Sequence, residues 1–366
     1  MKRAVLFIAA IVGTSSLFAQ TPTKEAMNSF ALYTSKREFS ELEKARRNID
    51  EAYKSRKDSL TYRNNLIRAL VYSSLAFADS TRKLKYLKDP IDEAVSSLNR
   101  LKSSKQNYEH EPEIKFIRKQ LAKAWLIKAN RAANNLNYIQ AYHSYLSVDS
   151  LDQNNFLVKY NIAVLSEKLG LIPQAIRYYE YLIKDKQRSQ PDYYLALSNL
   201  YETVRNNSKS LEVLQEGRKV FPGNRDILFK EINIYIDNGS YASVEKLIGD
   251  ALNLAPDNVS LNYVAGFAYD AMGKKSKAEE FYENVISLEQ NSYEGHYALG
   301  LLYLDSYLKE NDDKNRNLSR KHLLRAGDIN PNSVNVLKSL VVLYSHSGNT
   351  TELQKVNNKL KQFIFN

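Results

Sequence analysis

The sequence predicts an all-α chain of stacked antiparallel helix pairs, and three observations predict it. Small or apolar residues recur on a steady period: Ala141, Ala175, Ser210, Val244, Ala278, Ser319 and Leu353 lie 34, 35, 34, 34, 41 and 34 residues apart. A period of this length marks a repeat array, in which each unit is one supersecondary element. Glycine (12) and proline (8) are scarce among 366 residues, which argues against a β fold rich in tight turns. A hydrophobic content of 43% with 11% aromatics fills a core and excludes wholesale disorder.

The elements follow in chain order. Lys2 and Arg3 precede an apolar run, Ala4 to Val12, and then small residues up to Ala19-Gln20. This pattern predicts a secretory signal peptide over residues 1–19, cut after Ala19, although Leu17 stands where a small residue is usual. The run is shorter than the roughly 20 residues that span a bilayer, so no membrane-spanning segment is expected. Residues 20–110 read as divergent helix pairs. Phe39, Leu42, Ala45, Ile49 and Ala52 form one amphipathic stripe, Leu60 to Ala78 a second, and Pro90 to Leu101 a third, with Asp89 placed to start its helix. Residues 111–366 read as about seven repeats. The sixth carries an insertion near 308–317, expected to be an exposed, mobile loop between that unit's helices.

Further positions keep the same register. Val148, Leu182, Gly217, Ala251, Val285, Ala326 and Leu360 follow the first series by seven residues. Ala129, Ala163, Ser198, Ile232, Gly266 and Gly300 precede it, and an aromatic follows in the later units as Tyr201, Tyr235, Tyr269, Tyr303 and Tyr344. Small residues at these places let two helix backbones approach closely. Larger ones, Tyr179, Leu214, Ile248, Tyr282 and Leu323, fill the gap to the next pair. Gly239 and Gly273 end first helices with a residue that tolerates positive φ, and Pro222, Pro256 and Pro331 mark the turns between units.

This pattern resembles the tetratricopeptide repeat family, whose units carry an aromatic, Leu-Gly, Tyr, Ala, an aromatic, Ala and Pro in order. Trp125, Ala141 and Tyr145 match it in the first unit; Ala265-Gly266, Tyr269, Ala278 and Tyr282 in the fifth; Leu299-Gly300 and Tyr303 in the sixth. The likeness covers about Ala122 to Asn366, and no unit is complete: Glu231-Ile232 stands for Leu-Gly in the fourth. The resemblance implies a right-handed superhelical solenoid whose first helices line a concave groove for a peptide or protein segment. It carries the groove positions onto Asn130; Leu157, Tyr160, Asn161, Val164, Glu167 and Lys168; Asp192, Leu195, Asn199 and Glu202; Asp226, Phe229, Lys230, Asn233 and Asp237; Tyr263, Phe267 and Asp270; and Glu294, Tyr297, Leu301 and Asp305. Tyr160, Tyr263 and Tyr297 are the expected apolar anchors.

Two features recur among these positions. Asn130, Asn199 and Asn233 share one place, where an amide can hydrogen-bond an extended backbone. Glu167, Glu202, Asp237, Asp270 and Asp305 form an acidic ladder near the ends of first helices, where a carboxylate opposes the helix dipole at about 0.3–1 kcal/mol each. One explanation is a groove complementary to a basic or amide-rich segment; the other is local pairing with nearby Lys or Arg. Some family members clamp a C-terminal carboxylate with two asparagines and three cations. Asn130 and Asn161 fall at the asparagine places, but Leu126, Asp192 and Ala196 occupy the cation places, so such a clamp is not expected.

Charge and chemistry narrow the function. Residues 20–134 hold 24 basic and 14 acidic residues, and residues 135–366 hold 26 and 27, so the basic excess sits in the first third. Export argues against nucleic acid and leaves an anionic envelope surface or an acidic protein as its counterpart. The absence of cysteine excludes disulfides, thiolate metal sites and cysteine nucleophiles, and suits the periplasm. The five histidines, His110, His143, His296, His322 and His346, form no zinc motif, and there is no phosphate loop or nucleophile elbow. No enzymatic activity, cofactor or metal is expected. The chain therefore reads as a periplasmic or secreted interaction scaffold, and its signal ending Phe18-Ala19-Gln20 and its richness in Asn, Lys and Tyr resemble Bacteroidota envelope proteins. The alternative is a glycan or peptidoglycan binder that uses exposed members of the 26 tyrosines.

Overall fold

The computed structural model describes residues 21–102 and 104–364, so the expected signal peptide lies outside the described residues. Among the described residues every regular element is a helix. They fall into two compact units that meet in sequence at Arg188 and Ser189.

The first unit begins with α1 (Pro22–Lys36) and α2 (Phe39–Ala52), then a single turn, α3 (Arg56–Ser59). Next come α4 (Tyr62–Ala78) and α5 (Pro90–Leu101), a 3-10 turn at Lys105–Asn107, and α6 (Glu111–Asn134). The unit closes with α7 (Tyr138–Leu151), α8 (Phe156–Lys168) and α9 (Ile172–Lys184). Local chemistry sets the helix starts. Asp89 accepts a hydrogen bond from the Ile91 N–H at 2.8 Å with Pro90 at the first helical position, as the sequence predicts.

The stripe at Leu60–Ala78 is not a one-sided amphipathic helix. Thirteen of the 17 residues of α4 are buried, because α1, α2, α5 and α6 all pack on it. Most of its buried polar groups are bonded, although the Ser74 hydroxyl has no partner among the described residues. Arg68 donates to Asp50 at 2.7 Å and to Glu93 at 3.0 Å, and its guanidinium lies over the rings of Tyr53 and Tyr72. Asn65 donates to the Ser59 and Thr61 carbonyls at 3.0 and 2.8 Å. A buried polar group without such partners would cost about 1–3 kcal/mol.

The second unit is five antiparallel pairs: α10 (Pro191–Thr203) with α11 (Asn207–Val220), α12 (Arg225–Asp237) with α13 (Tyr241–Leu254), α14 (Val259–Ala271) with α15 (Lys275–Leu288), α16 (Tyr293–Glu310) with α17 (Asp313–Ile329), and α18 (Val334–His346) with α19 (Thr350–Ile364). Each helix packs on the next in sequence. The recurring small positions are inside: Ser210, Val244, Ala278 and Ser319 are fully buried. Two of them are polar and both are satisfied. Ser210 and Ser198 share a hydrogen bond of 2.7 Å, and Ser319 donates to the Gly300 carbonyl at 2.9 Å.

Close approach explains the glycines of the register. A Cβ on Gly266 would stand 2.6 Å from the Tyr282 ring, and one on Gly300 would stand 2.7 Å from the Leu323 side chain. The large residue fills the space that glycine leaves. The last pair shows what stacking supplies: Leu353 and Leu360 sit at the same register positions yet are only half-buried, and among the described residues no helix follows α19.

The turn inside each pair uses one device. A residue with φ between 57° and 72° follows the first helix: Leu136, Gly170, Arg205, Gly239 and Gly273. The next N–H then bonds back to the carbonyl five residues earlier, as from Ser240 to Tyr235 at 2.8 Å and from Lys274 to Tyr269 at 2.9 Å. First helices open on a side-chain cap: Asn155, Asn224, Asn258, Ser292 and Ser333 each accept an N–H three residues on.

The insertion near 308–317 is not a loop. It lengthens both helices of its pair, α16 to 18 residues and α17 to 17, against 13 and 14 in the pair before. Asn311 supplies a left-handed stop at φ 53°, and Asp312 caps α17 by accepting the Asn315 N–H at 2.8 Å. Two residues therefore make the whole connection. Buried Tyr307 anchors the added turn. The run Lys-Glu-Asn-Asp-Asp-Lys-Asn-Arg is polar because those helix ends face water.

Candidate functional site

The first helices of the second unit carry the clearest candidate surface. Leu195, Phe229, Tyr263 and Tyr297 repeat at 34-residue intervals on α10, α12, α14 and α16, and all four are half-buried. One helical turn on, Asn199, Asn233, Phe267 and Leu301 repeat at the same interval and are exposed. The helical period places residues four apart on one face. Each first helix thus presents a half-buried apolar residue beside an exposed one. The exposed member is an amide on α10 and α12 and apolar on α14 and α16, where Phe267 is 39% and Leu301 37% exposed.

The anchors are held by neighbours. Tyr263 packs on Tyr282 with ring centroids 5.9 Å apart, and burial pushes its hydroxyl pKa up. Tyr297 stacks on Tyr293 at 5.6 Å and 12°, with its hydroxyl 3.4 Å from that of Ser339. In the first unit Tyr160, Asn161 and Val164 are half-buried on α8. None of the three anchor tyrosines is fully displayed: each is half-buried.

The three asparagines differ in availability. Asn199 and Asn233 are exposed. Asn130 is exposed on α6 but its carbonyl oxygen already accepts the Tyr145 hydroxyl at 2.6 Å.

The acidic ladder is not uniform. Glu202 pairs with Lys230 at 2.6 Å, and Glu167 accepts the Tyr179 hydroxyl at 3.4 Å. Asp305 sits between Lys309 at 2.8 Å and Lys275 at 2.9 Å, and their hydrogen bonds hold its pKa below the usual carboxylate range. Asp270 is half-buried, and burial, with the Asp305 charge behind it, raises its pKa. Asp237 is exposed and makes no ion pair among the described residues. Local pairing thus accounts for Glu202 and Asp305; Asp237 and Asp270 make no ion pair among the described residues, though Lys275 and Lys309 lie near enough to Asp270 to oppose the rise in its pKa. A signal for the pairs exists in the sequence: Lys230 and Lys275 lie about one repeat from their acids.

Elsewhere, His296 and His322 form a buried pair with Nδ1 atoms 3.0 Å apart between α16 and α17. Burial, then the neighbouring His296, pushes His322 down to about 4. Among the described residues no group of three His, Asp or Glu is placed to hold a metal ion, and no helix is long and apolar enough to cross a membrane.

This geometry is that of helix pairs stacked in register, with a side-chain clock of 34. Residues 152–326 match the tetratricopeptide repeat family. The matched segment runs from the turn before α8 to the end of α17, a little under half of the chain. No curated protein matches the sequence. Among solved structures, the chain is similar to YrrB, described as a TPR protein with an unusual peptide-binding site, at 15% identity and a TM-score of 0.45, over 54% of this chain and 98% of that one. It is also similar to a MamA protein at 15% identity and a TM-score of 0.40, over 46% and 92% of the two chains. A MamA from Desulfovibrio magneticus RS-1 gives 15% and 0.41, over 48% and 95%. The tetratricopeptide segment contains all of the candidate groove residues except Asn130, which lies on α6 before it.

Proposed function

We propose that the chain is a non-enzymatic interaction scaffold that holds a peptide or protein segment along the first helices of its repeats. The observation that carries this reading is the double stripe on α10, α12, α14 and α16, half-buried at 195, 229, 263 and 297 and exposed at 199, 233, 267 and 301. An extended segment lying across these helices meets amides at Asn199 and Asn233, then apolar surface at Phe267 and Leu301. Asp237, exposed and without an ion pair among the described residues, favours a basic residue in that segment. In the first unit Asn130, Tyr160, Asn161, Val164 and Glu167 offer a comparable face on α6 and α8. The tetratricopeptide match supports a protein partner rather than a small-molecule substrate.

The scaffold works in the bacterial envelope, in the periplasm or outside it, after loss of residues 1–19. Support for this is the basic start and apolar run of the sequence, together with the absence of cysteine. The basic first third supplies a second contact, to an anionic surface or an acidic partner.

The test is a random displayed-peptide selection against the whole chain, followed by titration of the enriched peptides. Phe267→Ser with Leu301→Ser weakens those peptides by at least about tenfold while circular dichroism and Tm hold. Asp237→Lys weakens the basic ones selectively. Peptides that bind both variants as they bind the parent chain would reject the groove.

A further inference from the structure

The longest helix described, α6, carries a site apart from the groove of the second unit. α6 has 24 residues, whereas its counterpart α8 in the next pair has 13. By the repeat register, Phe156 at the start of α8 corresponds to Ala122. Residues 111–121 are therefore an extension that projects beyond the usual start of a first helix.

That extension is basic on one face. Lys115, Arg118, Lys119 and Lys123 fall at helical spacing and line a cavity of about 510 Å3. Its apolar floor is Leu126, Val148 and Leu151. Arg118 and Leu151 also line a second cavity of about 640 Å3, whose floor includes Leu98, Leu121 and Trp125 and whose rim holds Lys102. The two hollows adjoin along α6 as the two halves of a cleft, sharing Arg118 and Leu151.

The cations have little to neutralise them. Lys115 pairs with Glu111 at 2.7 Å, and the Lys123 ammonium lies 4.8 Å from the Phe77 ring centroid. Asp152 is the acid at the rim. Arg118, Lys119 and Lys102 make no ion pair among the described residues, and Arg118 and Lys119 are exposed. Like charges held on one face repel and are stabilised by an anion placed among them. The apolar floor adds a second requirement, because a free inorganic anion gains nothing from Trp125, Leu121 or Leu151.

We propose that this cleft binds an acidic segment of a partner protein, with carboxylates on Lys115, Arg118 and Lys119 and an apolar side chain against Trp125 and Leu151. A concave site with an apolar floor fits a chain that enters it, whereas a flat anionic bilayer reaches only the rim. The inference rests on the scaffold reading only in taking a protein segment as the occupant. It uses none of the groove residues of the second unit.

Trp125 is the single tryptophan of the chain and lines the cleft, so its fluorescence reports on occupancy. The experiment titrates the full chain with a synthetic peptide of alternating Glu and Leu, following Trp125 emission and binding heat. A saturable change is expected. Arg118→Glu with Lys119→Glu weakens it by at least about tenfold, as does replacing every Glu of the peptide with Gln. Lys83→Glu with Lys85→Glu removes the same charge elsewhere in the first unit and leaves affinity within about twofold. Asp237→Lys, the groove variant, also leaves it unchanged, so loss of the groove and loss of the cleft are told apart. The proposal fails if the peptide does not bind, or if the double Arg118 and Lys119 variant, folded by circular dichroism and Tm, binds as the parent does. It also fails if phosphatidylglycerol vesicles shift Trp125 emission while the peptide does not, which would assign the cations to a membrane surface.

Discussion

The region α1–α5 and the region α10–α19 bury helices by different means. In α10–α19 the helices pack through faces kept narrow by small residues, and the buried polar groups are met in isolated pairs such as Ser198–Ser210 and Arg218–Glu231. Ala278 and Gly266 do there what side-chain size alone can do. In α1–α5 the central helix α4 is enclosed by its neighbours, so most of its polar residues find their partners inside the protein. Arg68, Asp50, Glu93, Tyr53 and Tyr72 are the result. The repeat region has pairs rather than a network, as where Arg218 meets the fully buried Glu231 at 2.7 Å. The difference predicts where single substitutions do most harm.

The largest effect is expected at Arg68. Arg68→Ala removes the common partner of Asp50 and Glu93 while both carboxylates stay partly covered, and it strips the cation from two rings. Breaking a buried pair from one side costs about 3–5 kcal/mol. Tyr72, whose hydroxyl donates to Asp50 at 2.7 Å, stays to hold part of the network, which puts the loss near the lower end. Urea unfolding followed by helix content measures it. A loss under about 1 kcal/mol would mean that the network behaves as a surface pair and that α4 is held by packing alone.

The repeat positions were legible in the sequence because size recurs at a fixed interval, and size is a property of each residue by itself. Ala141, Ala175, Ser210 and Ala278 lie fully buried where their spacing predicts. The insertion was misread because polarity marks solvent exposure, which a loop and the outer end of a helix share. Only Asn311 and Asp312 together, a left-handed stop followed by a cap, distinguish the two. The enclosure of α4 was hidden for the opposite reason: burial on all sides depends on which helices arrive, and α6 comes from about 40 residues away. The candidate groove was legible as a set of positions but not as chemistry. Whether Asn130 or Glu202 is available depends on Tyr145 and Lys230, partners on other helices. The basic excess of the first third was plain in composition, yet its gathering on one face of α6 needed the helix's length and the end of α7.

A smaller effect comes from a place where the regular region, too, buries polar groups against each other. His296 and His322 face each other between α16 and α17, with Tyr303 beside His322 and Lys321 and Arg325 adding positive charge nearby. Burial pushes His322 down to about 4, while an unfolded histidine titrates near 6.5. Between those values the unfolded chain binds the extra proton and the folded chain does not. The stability is therefore fully present above about pH 6.5 and falls as the pH drops toward 4, by about 2 kcal/mol at pH 5. His322→Gln flattens that slope. Unfolding midpoints at pH 7 and pH 5 for the two proteins check it; equal slopes would show that the pair is hydrated and does not resist protonation.

The smallest effect is the most direct test of the repeat itself, and it uses two glycines within α13 and α14. A methyl on Gly266 meets the Tyr282 ring at 2.6 Å, so the ring or the backbone must shift, and overpacking of this kind costs about 1–3 kcal/mol. Gly249 lies exposed in the middle of α13, and an added Cβ there meets nothing within 4 Å. Gly249→Ala gains helix propensity instead, about 0.5–1 kcal/mol. The same chemical change thus carries opposite signs in neighbouring helices, and the sign is set by whether the position faces Tyr282 or water. Thermal unfolding of both variants measures the contrast. If Gly266→Ala proves neutral or stabilising, close backbone approach is not what the 34-residue spacing of small side chains supplies, and Tyr282 must have room to turn away.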